Sequence, residues 1–282
     1  MNQPADPLQQ ARGEADAAAE AAGVVIRELR RPEQAQAAAD LLAEIWSPGG
    51  AGAAPVEPGL LIALEHAGNY TTGAYDDAGR LFGVTAGFFG APQAAMMHSH
   101  IAGVHPDAAG RGIGAAMKLH QRAWCLARGV HTMEWTFDPL ITRNARFNLH
   151  KLGAEFAEYL PQFYGQMRDA TNAGQGSDRA LIRWPLRSRC TPITGEPDRV
   201  LLHIGDDDAP VATAHGADVL HAAEGAGVVG LSVHPDMMRL RRQAPELSAQ
   251  WRVSLRETMQ PLLQGGYTVR GVTGEGTYLL SR

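Results

Sequence analysis

The sequence predicts an α/β protein: a mixed α+β sheet flanked by helices, then a smaller C-terminal α/β unit. Three observations predict it. Apolar runs of strand length alternate with segments of helical apolar spacing up to residue 186. One of these runs, 101–104, feeds a glycine-rich loop and then a helical segment, 115–128. A turn-rich stretch with Pro192, Gly195 and Pro197 then separates residues 199–282 from what precedes them.

Taken in order, residues 1–22 are rich in Ala, Gln, Glu and Asp without a large apolar stripe, which predicts a disordered or loosely helical tail. Residues 24–29 read as the first strand. Residues 32–46 read as a helix opened by Pro32, with Leu41, Leu42, Ile45 and Trp46 on one face. A Pro/Gly/Ala loop, 47–55, precedes a second helix at 59–66, ended by Gly68-Asn69. A hairpin follows, with strands 70–75 and 81–89 joined by Asp76-Asp77-Ala78-Gly79-Arg80. The fourth strand is 96–104. After the loop and its helix, Gly129 marks the cap and 130–137 forms a fifth strand ending at Asp138-Pro139. A short helix over 143–152 stops at Gly153. Strands at 159–164 and 179–186 close the unit around a polar loop, 165–177. The predicted organisation is therefore a tail (1–22), a first domain (23–186), a linker (187–198) and a second domain (199–282). In the last, strands fall at 200–204 and 228–233, a helix at 245–263, and a hairpin at 267–272 and 277–280.

Length and composition bound the function. A chain of 282 residues with 45% hydrophobic residues can bury a sizeable core. A net charge of -5 and a pI near 6.1 give no global attraction to nucleic acid or to an anionic membrane. No apolar run approaches the ~18 residues of a membrane span, and the N-terminal residues lack a basic-then-apolar signal. Cys125 and Cys190 are too few and too far apart for a disulfide framework. A cytoplasmic location is the expectation. Lys118 and Lys151 are the only lysines, which reads as coding bias.

The most informative stretch is Val104-His105-Pro106-Asp107-Ala108-Ala109-Gly110-Arg111-Gly112-Ile113-Gly114. A strand ending in such a loop points several backbone N–H groups into one small volume. The first turn of the next helix adds unsatisfied donors and the positive end of its dipole. Together they form a cradle for a pyrophosphate. A Walker loop would need Lys-Ser/Thr after Gly114, where Ala115-Ala116 stand. A dinucleotide fingerprint would need Gly where Met117 stands.

What the segment 101–127 does resemble is the Arg/Gln-x-x-Gly-x-Gly/Ala loop of the GNAT superfamily of N-acyltransferases. The order β-α-α-β-β-β-α-β-α-β-β extends the resemblance over residues 24–186. It implies a central twisted sheet flanked by helices, and loop amides that hold the pyrophosphate of acetyl-CoA or another acyl-CoA. The candidate cofactor-binding residues are Gly110, Arg111, Gly112, Ile113, Gly114 and Ala115. Ala109 stands where the family has Arg or Gln, so that side chain is lost while the backbone cradle survives; Arg111 could supply charge nearby. The resemblance also implies a gap between the fourth and fifth strands that exposes backbone to the acyl-pantetheine, with Val104 N–H or its neighbours on the acyl end.

Acyl transfer to an amine needs a base for the ammonium proton and a donor for the departing thiolate. His98 and His100 share one strand face, and Glu134 lies on the adjacent strand opposite Met133, Trp135 and Phe137. These three are candidate bases. His98-x-His100 could alternatively chelate a metal, but no further Cys/His/Asp spacing supplies more ligands, so no metal is expected. Asn144 and Asn148, four apart on the short helix, are candidates to bond the pantetheine amides. In the family this helix often carries a Tyr that protonates the thiolate; Leu149 stands at that position, leaving Asn148, His150 or Tyr164 as alternative donors. Asp138 and Tyr164, at strand ends, are candidates to line an acceptor site.

The C-terminal region offers less. Arg252 and Arg256 recur at helical spacing and could meet a carboxylate or phosphate, or face solvent. Asp206-Asp207-Asp208 reads as a surface turn. Val233-His234-Pro235-Asp236 repeats residues 104–107 without the glycine loop. The expectation is an acyl-CoA-dependent N-acyltransferase that uses acetyl-CoA. It would act by direct transfer on a small amine or a peptide, with a homodimer as one possible assembly. The alternative is a non-catalytic acyl-CoA-binding or regulatory module on the same fold, motivated by Ala109 and Leu149.

Overall fold

A computed structural model describes residues 6–46, 54–165 and 176–282. The expected loops at 47–55 and 165–177 fall largely outside the described residues. The chain is a mixed α/β protein, and its contacts divide it into two compact units. One takes in the chain through Trp135 with Pro185–Ser188; the other runs from Thr136 to Trp184 and from Arg189 to Arg282.

In the first unit the elements are α1 (Pro7–Ala22), β1 (Val25–Glu28), α2 (Pro32–Trp46), α3 (Pro58–His66), β2 (Tyr70–Tyr75), β3 (Leu81–Phe89), β4 (Met96–Val104), α4 (Ile113–Leu126) and β5 (Thr132–Phe137), whose last two residues pass into the second unit. The strands lie in the order β1-β2-β3-β4-β5. Every pairing is antiparallel, through hairpins for β2–β3 and β3–β4 and across α2 and α3 for β1–β2, except β4 with β5, which the α4 crossover makes parallel. Leu29, Leu42, Leu61, Val84 and Ala86 form the core between the sheet and α2–α3. Phe82, Ile113, Ala116 and Met117 form the core on another side.

The segment that composition marks as a loose tail is a capped helix. Asp6 accepts from Leu8 N–H at 3.1 Å, Pro7 opens the helix, and Gly23 closes it at φ 63°. Its alanine face is its packing face. Ala11 and Ala15 are buried in a cluster with Ala123, joined by Leu119 and Leu126 of α4, and Glu14 reaches Arg122 at 2.7 Å. Small residues let two helix backbones approach closely, a signal that a search for large apolar stripes passes over.

The second unit holds α5 (Thr142–Arg146), a π-helical turn (Phe147–Lys151), β6 (Glu155–Leu160), β7 (Arg179–Pro185), β8 (Arg199–Ile204), β9 (Pro210–Ala212), α6 (Asp218–Ala223), β10 (Val229–Ser232), α7 (Met237–Gln243), α8 (Pro245–Gln264), β11 (Thr268–Val272) and β12 (Thr277–Ser281). β6 pairs antiparallel with β7, and the other strands form a sheet of order β11-β12-β10-β8-β9. Trp251, Leu255, Met259 and Leu262 of α8 are fully buried, as are Leu201, Leu202, Leu231 and Tyr278 of the sheet.

The sixth strand lies at 155–160, four residues before its expected start at 159. Gly153, at φ 68°, frees the chain early, and Pro161 followed by Gln162 at φ 47° turns it where the strand was expected to continue. Repetition of Val-His-Pro-Asp has a local cause. In each copy the histidine Nδ1 accepts from the aspartate N–H two residues on, at 3.1 Å, and starts a helical turn. Among the described residues no helix is long and apolar enough to cross a membrane.

Candidate functional site

The glycine loop leaves β4 through a 3₁₀ turn, Pro106–Ala108. His105 fixes its entry: Nδ1 accepts from Asp107 N–H, and Nε2 lies 3.0 Å from Glu44 Oε1. Gly110 and Gly112 then adopt φ of 82° and 86°, a left-handed conformation that a Cβ would strain. Neither would meet another atom within 4 Å on gaining a Cβ, so the volume above the loop is open. Gly112 is the N-cap of α4 and supplies no side-chain cap, so the opening amides of a 14-residue helix keep their donors. Ile113 is buried, anchoring the loop from below, while Ala115 N–H returns to Gly112 C=O at 3.0 Å. Gly114 needs no special conformation; a Cβ there would meet only Val104 Cγ2, at 3.9 Å.

Arg111 is committed elsewhere. Its Nη2 donates to Ala22 C=O at 3.2 Å, and its guanidinium lies over the Phe82 ring at 4.9 Å. The side chain ties the loop to the carbonyl end of α1, where helix carbonyls favour a cation.

β4 and β5 pair only from Met96↔Thr132 to His98↔Glu134, whereas β4 stays paired with β3 as far as Val104↔Gly83. At the same place β4 carries an extra residue: Ala86↔Ile101 and Phe88↔His98 set three steps of β4 against two of β3. The bulge bends β4 and ends its pairing with β5. From Ser99 to Val104 the β4 edge that faced β5 is left without that strand, and this edge leads into the glycine loop.

His98, Glu134 and Phe88 are neighbours through these registers. The Phe88 ring lies 5.1 Å from His98 and 5.8 Å from His100, whose own rings are 6.1 Å apart. His98 is half-buried and His100 exposed. Burial pushes the His98 pKa down, and the proximity of His100 and Lys118 disfavours a second positive charge there, against the pull of Glu134. Burial also lowers that of His100. Both rings are therefore neutral at pH 7 and able to accept a proton. Glu134 shares its half-exposed face with Thr132 and Thr136, opposite buried Met133, Trp135 and Phe137, as the alternation predicts.

Behind the bulge lies a residue whose rarity in the sequence reads only as coding bias. Lys118, on α4 and 6% exposed, donates to Ser99 Oγ at 2.7 Å and lies 3.9 Å above the Trp135 ring. Ser99 in turn donates to Gln121 Oε1 at 2.8 Å. Burial pushes the lysine pKa down to about 7. The available signal was a lone lysine on the buried stripe of an otherwise apolar helix start, with Gln121 one turn on.

The remaining candidates lie in the second unit. Tyr164 follows β6 in a turn; its hydroxyl is 3.1 Å from Thr136 Oγ1 and Arg179 lies 5.3 Å from its ring. Asn144 is exposed and Asn148 buried, because the helix loosens into the π turn at Phe147 and the four-residue spacing no longer shares a face. Leu149 is buried. His150 Nε2 accepts from Val272 N–H at 3.0 Å, and burial lowers its pKa.

Asp138 is the anchor of an ion cluster. It receives Arg252 at 2.8 Å and Arg241 at 2.5 Å, with Arg179 at 3.9 Å, and its Oδ1 accepts from Leu140 N–H. Asp178 receives Arg256 through two bonds of 2.8 Å, the Tyr159 hydroxyl and Gln162 N–H. Arg252 and Arg256 thus meet carboxylates of their own chain. Burial alone would raise both aspartate pKa values; the guanidiniums hold them below the usual range. Among the described residues no group of three or more His, Cys, Asp and Glu could hold a metal ion.

No family model matches the chain, and no curated protein sequence matches it. Solved structures do. A GNAT superfamily phosphinothricin acetyltransferase from Sinorhizobium meliloti, in complex with AcCoA, is 19% identical, with 62% of this chain and 94% of that one covered and a TM-score of 0.47. The ribosomal-protein-S18-alanine N-acetyltransferase from Escherichia coli is 14% identical, with 61% and 99% covered and a TM-score of 0.45. An N-acetyltransferase from Staphylococcus aureus Mu50 is 18% identical, with 58% and 98% covered and a TM-score of 0.45.

Proposed function

We propose that the protein is an acyl-CoA-dependent N-acyltransferase, with acetyl-CoA the first donor to test. One observation carries the reading. A strand that loses its parallel neighbour at a bulge runs, with that edge bare, into an uncapped helix N-terminus built on two left-handed glycines. Uncapped amides favour a pyrophosphate. A bare strand edge offers alternating N–H and C=O groups to the amides of a pantetheine arm. From Val104 back to Ser99 the strand spans about 16 Å at about 3.3 Å per residue. An arm laid along it brings the thioester to the bulge beside His98, His100 and Glu134, so the acyl end belongs there and Val104 serves the arm nearer the pyrophosphate.

The chemistry follows from that placement. A neutral imidazole of His98 or His100, or Glu134 through water, takes the ammonium proton of the acceptor. The free amine attacks the thioester carbon and forms the C–N bond of a tetrahedral adduct; the adduct then expels sulfur with the C–S electron pair, and the nitrogen gives up its remaining extra proton to solvent. Calorimetry with acetyl-CoA and longer acyl-CoAs is the test, and no binding to any of them at millimolar ligand would sink the reading.

A second reading has its own support. Leu149, at the position where the family often has a proton-donating Tyr, is an apolar buried residue, which favours a binding module without turnover. Incubation with acetyl-CoA and a mixed panel of amines, with free thiol followed, separates the two. Tight binding with no thiol released across the panel supports the module; release supports the transferase.

A further inference from the structure

Lys118 is a buried cation for which, among the described residues, no carboxylate is a partner. A solitary ammonium in the interior is costly, and here only a serine hydroxyl and an indole face soften the cost. Its position is specific. β4 and β5 last pair at His98↔Glu134, so Ser99 and Trp135 are the first residue on each strand beyond the pairing. These are the two residues that Lys118 touches. Both contacts are made on the buried, α4 side of the sheet, so its nitrogen lies directly beneath the point where the strands part.

That point is also where a pantetheine arm laid along β4 delivers its sulfur. We infer that Lys118 is the acid of the reaction: its ammonium stabilises the departing thiolate at that point and gives it a proton. The inference rests on the acyl-CoA reading and supplies the donor that Leu149 cannot be. In the step, the C–S bond of the tetrahedral adduct breaks and the electron pair goes to sulfur. A proton passes from Lys118 Nζ to form the CoA thiol, and the neutral amine is reprotonated from solvent. Its lowered pKa suits an acid working near neutrality. The ionisable groups facing it are His98 on β4 and Cys125 on its own helix; Ser99, Gln121 and Trp135 complete the surroundings. Cys125 is a spectator, since burial pushes its thiol up to about 12.

The experiment needs no acceptor. Free CoA is bound to the full chain, binding is confirmed by calorimetry, and the ultraviolet absorbance of its thiolate is followed against pH. Bound to the wild type, the thiol is expected to ionise at least one pH unit below the ordinary range of about 8.5. In Lys118→Met, which keeps the aliphatic stem, the midpoint returns upward by at least that unit. A wild-type midpoint at or above that of free CoA overturns the inference, and so does an unchanged midpoint in the variant. If Lys118→Met does not fold, the wild-type midpoint alone decides. Failure of CoA to bind the wild type overturns the acyl-CoA reading as well, whereas binding with an ordinary thiol overturns only the role of Lys118.

Discussion

Gly112 couples a backbone requirement to the proposed binding of a pyrophosphate at one position. Its φ of 86° is strained for any L side chain, at about 1 kcal/mol or more, yet the space above it is open. Gly112→Asp therefore folds with a small loss and places a carboxylate where the cradle needs an anion. Acetyl-CoA binding is expected to vanish by calorimetry while the melting temperature falls by only a few degrees; retained affinity would show that the loop is not the cradle. Lys118 makes a separate prediction about stability. Its folded pKa of about 7 lies below the unfolded value of about 10.4. Between these limits the unfolded chain binds the extra proton, so stability rises with pH from about 7 to about 10. Urea midpoints across that range are expected to climb in the wild type and to flatten in Lys118→Met. Gly112 was legible because glycine spacing betrays backbone conformation. Lys118 was not, because a rare lysine in an arginine-rich chain reads as coding bias until its burial is known.

At the scale of elements, α1 and β4 carry the lessons. The α1 face that meets α4 is made of Ala11 and Ala15, so the close approach leaves no room for growth. Ala15→Leu is expected to overpack the contact and cost about 1–3 kcal/mol in chemical unfolding; a neutral result would mean that the helix is loosely held. Strand–loop–helix order and the placement of β2 to β5 were legible from periodicity and turn residues. The bulge in β4 was not. Nothing in Met97-His98-Ser99-His100 marks an extra residue, because a bulge is defined by what the partner strand does. The same limit shifted β6, whose position depends on pairing with β7.

For the molecule as a whole, charge decides more inside than outside. A net charge of -5 says little about partners beyond disfavouring polyanions, while in the second unit Asp138 alone meets three guanidiniums. Asp138→Asn leaves those cations without their shared anion and is expected to cost about 3 kcal/mol or more in denaturant unfolding; a loss below about 1 kcal/mol would show the cluster to be dispensable. The acid limb carries the sign of these pairs. Asp138 and Asp178 have pKa values held below the unfolded value, so their contribution is full above about 3.9 and is lost as pH falls through the folded pKa. The wild type is expected to lose stability below about pH 4 more steeply than Asp138→Asn. By itself the sequence determined the alternation of elements and the glycine turn that opens α4, since these depend on local conformation. Only the tertiary structure decided that Arg111 is spent on α1, that Arg252 and Arg256 pair with Asp138 and Asp178, and that Lys118 stands where two strands part. Those outcomes depend on desolvation and on partners remote in the chain, which no local pattern encodes.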